Sequence, residues 1–496
     1  MKSLPLPQQL KKHYAFCFLL LLACPGYEQQ SAAQDVSLKQ CFDLARQNSF
    51  LVKQSQHSVQ ARKYAYAAEK LSALPKVDLL ASYNYLSNPL TINLQTIKDG
   101  VVEGSSVQSM YTANAVYKQI TGVDLPQQVQ QDIYKTSKSI ISTAYPDYNP
   151  VLSQQQYFIA GLFVRQPIWL GGKLSTARNA ASIELKSGII NQQLVENDLD
   201  LVIATQYIRI LYLNTLIQLN KRTLDAFAKN DVFAAEMVKN QVIPPYFQNW
   251  TRVLLVQARS RLNNTYLDKQ NALAEMNRLL GLNQDTVLTF TDTLNYFQTA
   301  LNRPETSLIL QNPMLRLAGS NTNLARTNIK GAQSLLMPNF FGIANINLYQ
   351  KDLPVTTPPW MIGLELQWNL FDGFKNYKRV QVTKQLAEEA SLMEQNTRSG
   401  INTKVAVALN RLKSVQMDIA TLDSARHEAL TTTSLISERS RNNMSSPKDI
   451  NDALLIQEEI DKSYYIAVFG YFVTLAEYFS LTGTSRKISE YLGQTK

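Results

Sequence analysis

Cysteine and histidine are both scarce, with three of each in 496 residues. Cys17 and Cys24 fall in an N-terminal apolar run, which leaves Cys41 alone, so neither a disulfide framework nor a thiolate metal cluster can be built. His57 and His427 are the only histidines beyond that run. There is no glycine-rich phosphate loop, and no nucleophile stands beside a base in a recognisable motif. The expectation is a protein that is not an enzyme and uses no cofactor and no metal. Beyond the N-terminus no run of 18 or more uncharged apolar residues exists, so strands are the remaining route into a membrane. A basic stripe is also missing: Lys and Arg are spread along helix-like segments, which argues against nucleic acid as a partner.

What is present begins with an address. Lys2, Lys11 and Lys12 precede "YAFCFLLLLA", and "SAA" at 31–33 places small residues where signal peptidase cuts. Residues 1–33 are expected to be a signal peptide, with Gln34 as the new N-terminus. The same run contains "LLAC", and the alternative ending is lipidation of Cys24 after cleavage. Without residues 1–33 the chain keeps 46 basic and 38 acidic residues, a net +8.

The remainder reads as a duplication. "GLFVRQPIWLGGK" at 161–173 returns as "GLELQWNLFDGFK" at 363–375. The offset of 202 pairs Gly171 with Gly373 and Lys173 with Lys375, and it still holds at Pro245 with Pro447 and Gly281 with Gly483. Upstream, "SALPKVDLLASYNY" resembles "SLLMPNFFGIANIN", so Pro75 matches Pro338. Proline and glycine are 86 residues apart in the first unit and 25 in the second, so one loop has gained 61 residues. The expected units are 34–304 and 305–483, followed by a tail at 484–496.

Each unit reads helix, proline, strand, loop, strand, glycine, long helix, short break, shorter helix. Residues 37–73 and 306–336 have helical apolar spacing, and Pro75 and Pro338 end those helices. In "PWMIGLELQWNLFD" the residues Trp360, Ile362, Leu364, Leu366, Trp368 and Leu370 share one face. Met361, Gly363, Glu365, Gln367 and Asn369 share the other. "KVDLLASYNYLS" likewise sets Val77, Leu79, Tyr83 and Tyr85 opposite Lys76, Asp78, Ser82 and Asn84. The stretches 157–169 and 339–349 alternate less cleanly. From about 173 to 240 and from 375 to 443 the chain has hardly a helix breaker, which at ~1.5 Å per residue gives helices of roughly 100 Å. Val405, Ala408, Leu412, Val415, Ile419 and Leu422 alternate spacings of three and four, as coiled coils do, until Arg426 interrupts. Segment 283–304 is expected to lie as a small belt outside the middle of the bundle.

Four amphipathic strands have the length to cross an outer membrane when tilted, but they are too few to close a barrel, so other chains must complete it. Two copies would give a filled interior, three a water-holding one. The rival reading is a periplasmic coiled-coil scaffold, which leaves Trp360 and Trp368 on an uncovered face without explanation.

"SLKQCFDLARQNSF", "QPIWLGGK", "WNLFDGFK" and "NRLLGL", in this order and over essentially the whole mature chain, resemble the TolC-like outer-membrane efflux proteins. The resemblance implies a mixed α and β membrane protein: a homotrimer with a twelve-stranded barrel in the lipid of a Gram-negative outer membrane and a helical tunnel in the periplasm. It implies a periplasmic adaptor and an inner-membrane pump as partners, in drug efflux, metal efflux or type I protein secretion. The glycines Gly171, Gly172 and Gly373 become strand-to-helix junctions, where backbone must leave β geometry abruptly. The turns near 241–246 and 443–448, with Val242, Ile243, Pro244 and Pro245 in one and Met444, Ser445, Ser446 and Pro447 in the other, become the tips that dock the adaptor. These tips lack the glycine that the family commonly carries there. Asp449 and Asp452, counted back from Gly483, match two acidic residues that ring the tunnel entrance in the best-known member. Ser445 stands where that member has its basic partner, and Lys448 is the substitute at hand. The plainer reading of both aspartates is that they complement the dipole of a helix start. The long loop, 88–153, is expected to face outside the cell.

Overall fold

The computed structural model describes residues 34–87, 94–144, 155–290, 292–298, 309–351, 358–442 and 444–492. The expected signal peptide and Cys24 lie outside them. In chain order the elements are β1 (Gln34–Asp35), α1 (Leu38–Asn48), α2 (Phe50–Leu71), β2 (Lys76–Tyr85), α3 (Leu94–Thr121), α4 (Gln127–Ala144), β3 (Gln156–Leu170), α5 (Lys173–Lys239), α6 (Tyr246–Leu280), β4 (Leu288–Thr289), α7 (Pro313–Gln333), β5 (Asn339–Lys351), β6 (Trp360–Gln367), α8 (Lys375–Arg441) and α9 (Pro447–Leu481). They form two compact units. One comprises the chain up to Gln56, Gln192–Pro313 and everything from Arg398 on; the other comprises His57–Asn191 and Met314–Thr397.

The first unit is helical. A capping box of Ser37 and Gln40 opens α1, which buries Leu38, Cys41, Phe42 and Ala45. Burial pushes the Cys41 thiol up to about 12, so it is a packing group and not a reactive one. The stretch expected as one helix over 37–73 is divided at Ser49, whose ψ of 130° is extended. The cause is tertiary: α6 ends in Gly281 at φ 68°, and a Cβ there would lie 2.6 Å from the Asn48 carbonyl oxygen. The second repeat reuses the device, since Gly483 ends α9 at φ 71° against the Gln311 carbonyl, 3.1 Å from where its Cβ would be. Glycine is the residue that accepts both the left-handed turn and the close approach.

Along α5, Ile203, Ala204, Tyr207, Ile208 and Leu211 are buried. The Tyr207 hydroxyl donates to Asp292 at 2.6 Å, and its ring meets Phe290 edge-on. Tyr296 and Phe297 pack on Tyr471 and Phe472 of α9, and β4 pairs in parallel with β1. Residues 283–298, where described, are thus fastened to the helices by aromatic rings. Among the described residues α9 is long and apolar enough to cross a membrane by length and composition, yet Val468, Tyr471, Phe472 and Leu475 are core. In α8 the stripe Val405, Ala408, Leu412 and Ile419 is buried, with Val415 and Leu422 half-buried. Arg426, which ends it, donates from Nε to Asp461 at 2.5 Å and from Nη2 to the Tyr465 hydroxyl at 3.1 Å.

The second unit is built on a four-stranded antiparallel sheet in the order β2-β3-β5-β6. The segment 88–153, expected as a loop, holds α3 and α4. They form a hairpin whose turn is fixed by Asp124, which accepts from Asn114 at 2.9 Å and Lys118 at 3.0 Å.

Candidate functional site

Rows of residues can be followed straight across the sheet. Val77, Val164, Ala344 and Ile362 align, as do Leu79, Leu162, Ile346 and Trp360. At one end of this face lie Tyr83, Tyr85, Phe158 and Tyr349 and at the other Trp169 and Phe340; Phe371 and Phe374, beyond the end of β6, are exposed and meet edge-on. Between the two aromatic rows the side chains are mainly aliphatic, with Trp360 and Gln166 among them. Phe158 and Trp169 are eleven residues apart along β3, about 36 Å at ~3.3 Å per residue, or somewhat under 30 Å of height at a tilt of ~40°. That matches the apolar band of an outer-membrane barrel, ~25 Å tall between aromatic girdles.

The apolar face is also the bare one. Leu364 is 82% exposed and Ile362 75%, whereas the opposite face carries Lys76, Asp78, Asn84, Arg165, Asn345 and Glu365 and is largely covered. Arg165 is 6% exposed, and its Nη2 lies 3.2 Å from Glu365. Lys76 apart, the charges on this polar face are buried or half-buried while the sheet's aliphatics are bare, the inverse of a sheet made for water. Its outer edges, β2 and β6, pair with no further strand among the described residues.

At the strand-to-helix junctions the three expected glycines all have positive φ: 60° at Gly171, 90° at Gly172 and 68° at Gly373. Phe374, the counterpart of Gly172, holds φ 64° with a side chain. The two junctions differ in crowding. A Cβ on Gly171 would fall inside the Met337 side chain and 3.0 Å from the Ser334 carbonyl oxygen, while one on Gly373 meets nothing within 4 Å. Gly373→Ala should therefore cost only the backbone term, ~1–2 kcal/mol, and Gly171→Ala clearly more. Thermal unfolding monitored by circular dichroism would compare them, and equal losses would contradict this packing.

The tips belong to the helical unit. At the first, Gln241 takes φ 58°. The Val242 N–H donates to the Met237 carbonyl at 2.9 Å and the Gln241 N–H to Val238 at 3.0 Å, a Schellman turn with glutamine in the glycine position. Val242 is exposed and Pro245 caps α6 without a side-chain bond. Ile243 and Pro244 complete the turn. At the second tip the Met444 N–H donates to Arg439 at 2.9 Å and Ser446 is the N-cap of α9, with Pro447 at its first position. Ser445 precedes that cap.

Asp449 closes a capping box. Its carboxylate accepts from the Ser446 N–H at 2.8 Å and the Ser446 hydroxyl at 2.9 Å, and the backbone bond, the larger cause, holds its pKa below the ordinary range. Asp452, more than half exposed, pairs with Lys448 at 3.3 Å. The two aspartates thus differ, one tied into a helix start and one free to face solvent.

Sequence reading missed the polar bonds that hold the tips together. Asn230 of α5 donates to the Pro447 carbonyl at 2.9 Å and to Asn451 at 2.8 Å, and Asn451 reaches Thr251 of α6 at 3.4 Å. All three side chains are buried. An asparagine inside an apolar stripe was the available signal. Among the described residues no group of three or more His, Cys, Asp or Glu is placed to hold a metal ion.

No protein-family model and no curated protein matches the sequence. Solved structures do. The Campylobacter jejuni CmeC outer membrane channel matches with a TM-score of 0.70 at 14% identity, over 93% of this chain and 91% of that one. The outer membrane protein VceC of Vibrio cholerae matches with a TM-score of 0.67 at 14% identity, over 90% and 96%. The open state of the Neisseria gonorrhoeae MtrE outer membrane channel matches with a TM-score of 0.68 at 14% identity, over 90% and 89%. The chain has the fold of these outer-membrane channels.

Proposed function

We propose that the protein is a TolC-like outer-membrane channel of a tripartite efflux system in a Gram-negative bacterium. Three copies complete a twelve-stranded barrel in lipid and a helical tunnel in the periplasm, the tips dock a periplasmic adaptor, and an inner-membrane pump supplies small molecules for export. The observation that carries this reading is the inverted sheet, bare and aliphatic between aromatic rows on one side and charged on the other. Unpaired edges in lipid would each leave backbone groups unsatisfied at a cost of several kcal/mol; joining β6 of one copy to β2 of the next satisfies them. Metal efflux and protein secretion use the same architecture, so genes beside this one that encode an adaptor and a pump would identify the cargo.

Asp449 and Asp452 are assigned to the periplasmic entrance, where three copies would set a ring of carboxylates that favours cations. The capping box keeps Asp449 ionised in mildly acid solution. The double substitution Asp449→Asn with Asp452→Asn removes the charge while keeping acceptors for the helix start. In planar bilayers it should lower the cation-to-anion permeability ratio severalfold; an unchanged ratio would remove both residues from the pore.

A further inference from the structure

We propose that the α3–α4 hairpin is a built-in plug, lying on the water-facing side of the barrel wall and blocking its interior until it is displaced. This rests on the channel reading above. The hairpin belongs to the same compact unit as the sheet, and it sits on the polar face. The Arg165 guanidinium is 3.6 Å from the Phe341 ring on that face and 4.8 Å from the ring of Tyr117 on α3. Tyr157, toward the other end of the same face, is 6% exposed, and the Gln108 side chain of α3 lies beside its hydroxyl. Gly161, between them, is buried as well.

From Tyr157 to Arg165 is eight residues of strand, about 26 Å, so the cover runs along most of an apolar band ~25 Å tall. The direction is inward. Gln108 is near Tyr157, which pairs with Asn84 late in β2, and Tyr117 is near Arg165, which pairs with Lys76 at its start. The chain therefore enters from the end of the sheet remote from the long helices and carries its Asp124 turn toward them.

The hairpin is braced to keep that shape. Val101, Val102, Ser106 and Leu125 are buried, and Lys138 of α4 donates to Glu103 of α3 at 2.6 Å. Size completes the case. Twelve strands spaced ~4.7 Å apart and tilted ~40° enclose a radius of about 12 Å, and two helices ~10 Å across take roughly a third of that cross-section. Three hairpins, six such cylinders, would need a radius of about 15 Å side by side, so the parts of them that lie within the wall leave no open path for water.

The test compares the full chain with a variant whose residues 94–144 are replaced by a short Gly-Ser linker, both purified in detergent and recorded in planar bilayers. The full chain should show only a residual leak and the variant a conductance per channel at least about tenfold larger, since the cross-section of a twelve-stranded barrel is returned to water. Equal conductance would overturn the plug and leave the channel reading standing. If the shortened chain fails to assemble, Tyr117→Ala in the full chain takes its place. It removes the ring over Arg165 and should add brief openings of larger conductance, and a trace identical to the parent overturns the proposal. A full chain that neither forms detergent-stable oligomers nor conducts would overturn the channel reading, and the plug with it.

Discussion

Leu364→Arg should abolish recovery of the protein from detergent-extracted outer membranes, whereas Gln367→Arg, three residues along the same strand but on the other face, should leave it intact. Leu364 is the most exposed of the bare aliphatic side chains and lies between the two aromatic rows. An arginine near the middle of the bilayer costs ~2–4 kcal/mol, falling to about 0–1 near the interfaces. Threefold symmetry would repeat that penalty in every copy, which is comparable with the whole stability of an ordinary domain. Heat-modifiable migration on gels and membrane fractionation read the result. Normal recovery of Leu364→Arg would mean that this face meets something other than lipid.

Arg426→Met should destabilise the helical unit by ~3–5 kcal/mol, the penalty for leaving a buried carboxylate without its cation. Asp461 is 7% exposed, and the Arg426 Nε is its hydrogen-bond donor. The guanidinium also lies over the Tyr464 and Tyr465 rings, at 4.9 and 5.2 Å, so methionine removes those contacts together with the ion pair. The pair Arg426→Met with Asp461→Leu should recover most of the loss, because no charge is then stranded. Denaturant unfolding of the three variants checks this. A double variant as weak as the single one would show that the ion pair is not what the site depends on.

Where local chemistry decides the backbone, the sequence was readable. Gly281, Gly483, Gly171 and Gly373 needed positive φ and a conformation that glycine supplies, so their recurrence marked the repeat and its turns. Strand faces followed from alternation, and the reading of Asp449 as part of a helix start needs no tertiary contact. The hairpin was hidden for the opposite reason. α3 carries Gly100, Gly104, Ser105 and Ser106 and has no apolar stripe. Its surroundings include Arg165 and Tyr157, placed there by strand pairing. The break at Ser49 was hidden in the same way, because its cause is the distant Gly281. Arg165 and Glu365 are 200 residues apart, and each alone looks like a solvated charge.

The order of strands has a consequence for biogenesis. β2 and β3 are neighbours, but β3 then waits for β5, which comes after the whole of α5, α6 and α7 has been made. Pairing across so long a stretch is slow, because the intervening chain must first be brought round. During that interval a pair of amphipathic strands with both edges naked is adrift in the compartment between the membranes. Such an intermediate is prone to stick to its own kind, so the yield of refolded protein should fall as its concentration during refolding is raised.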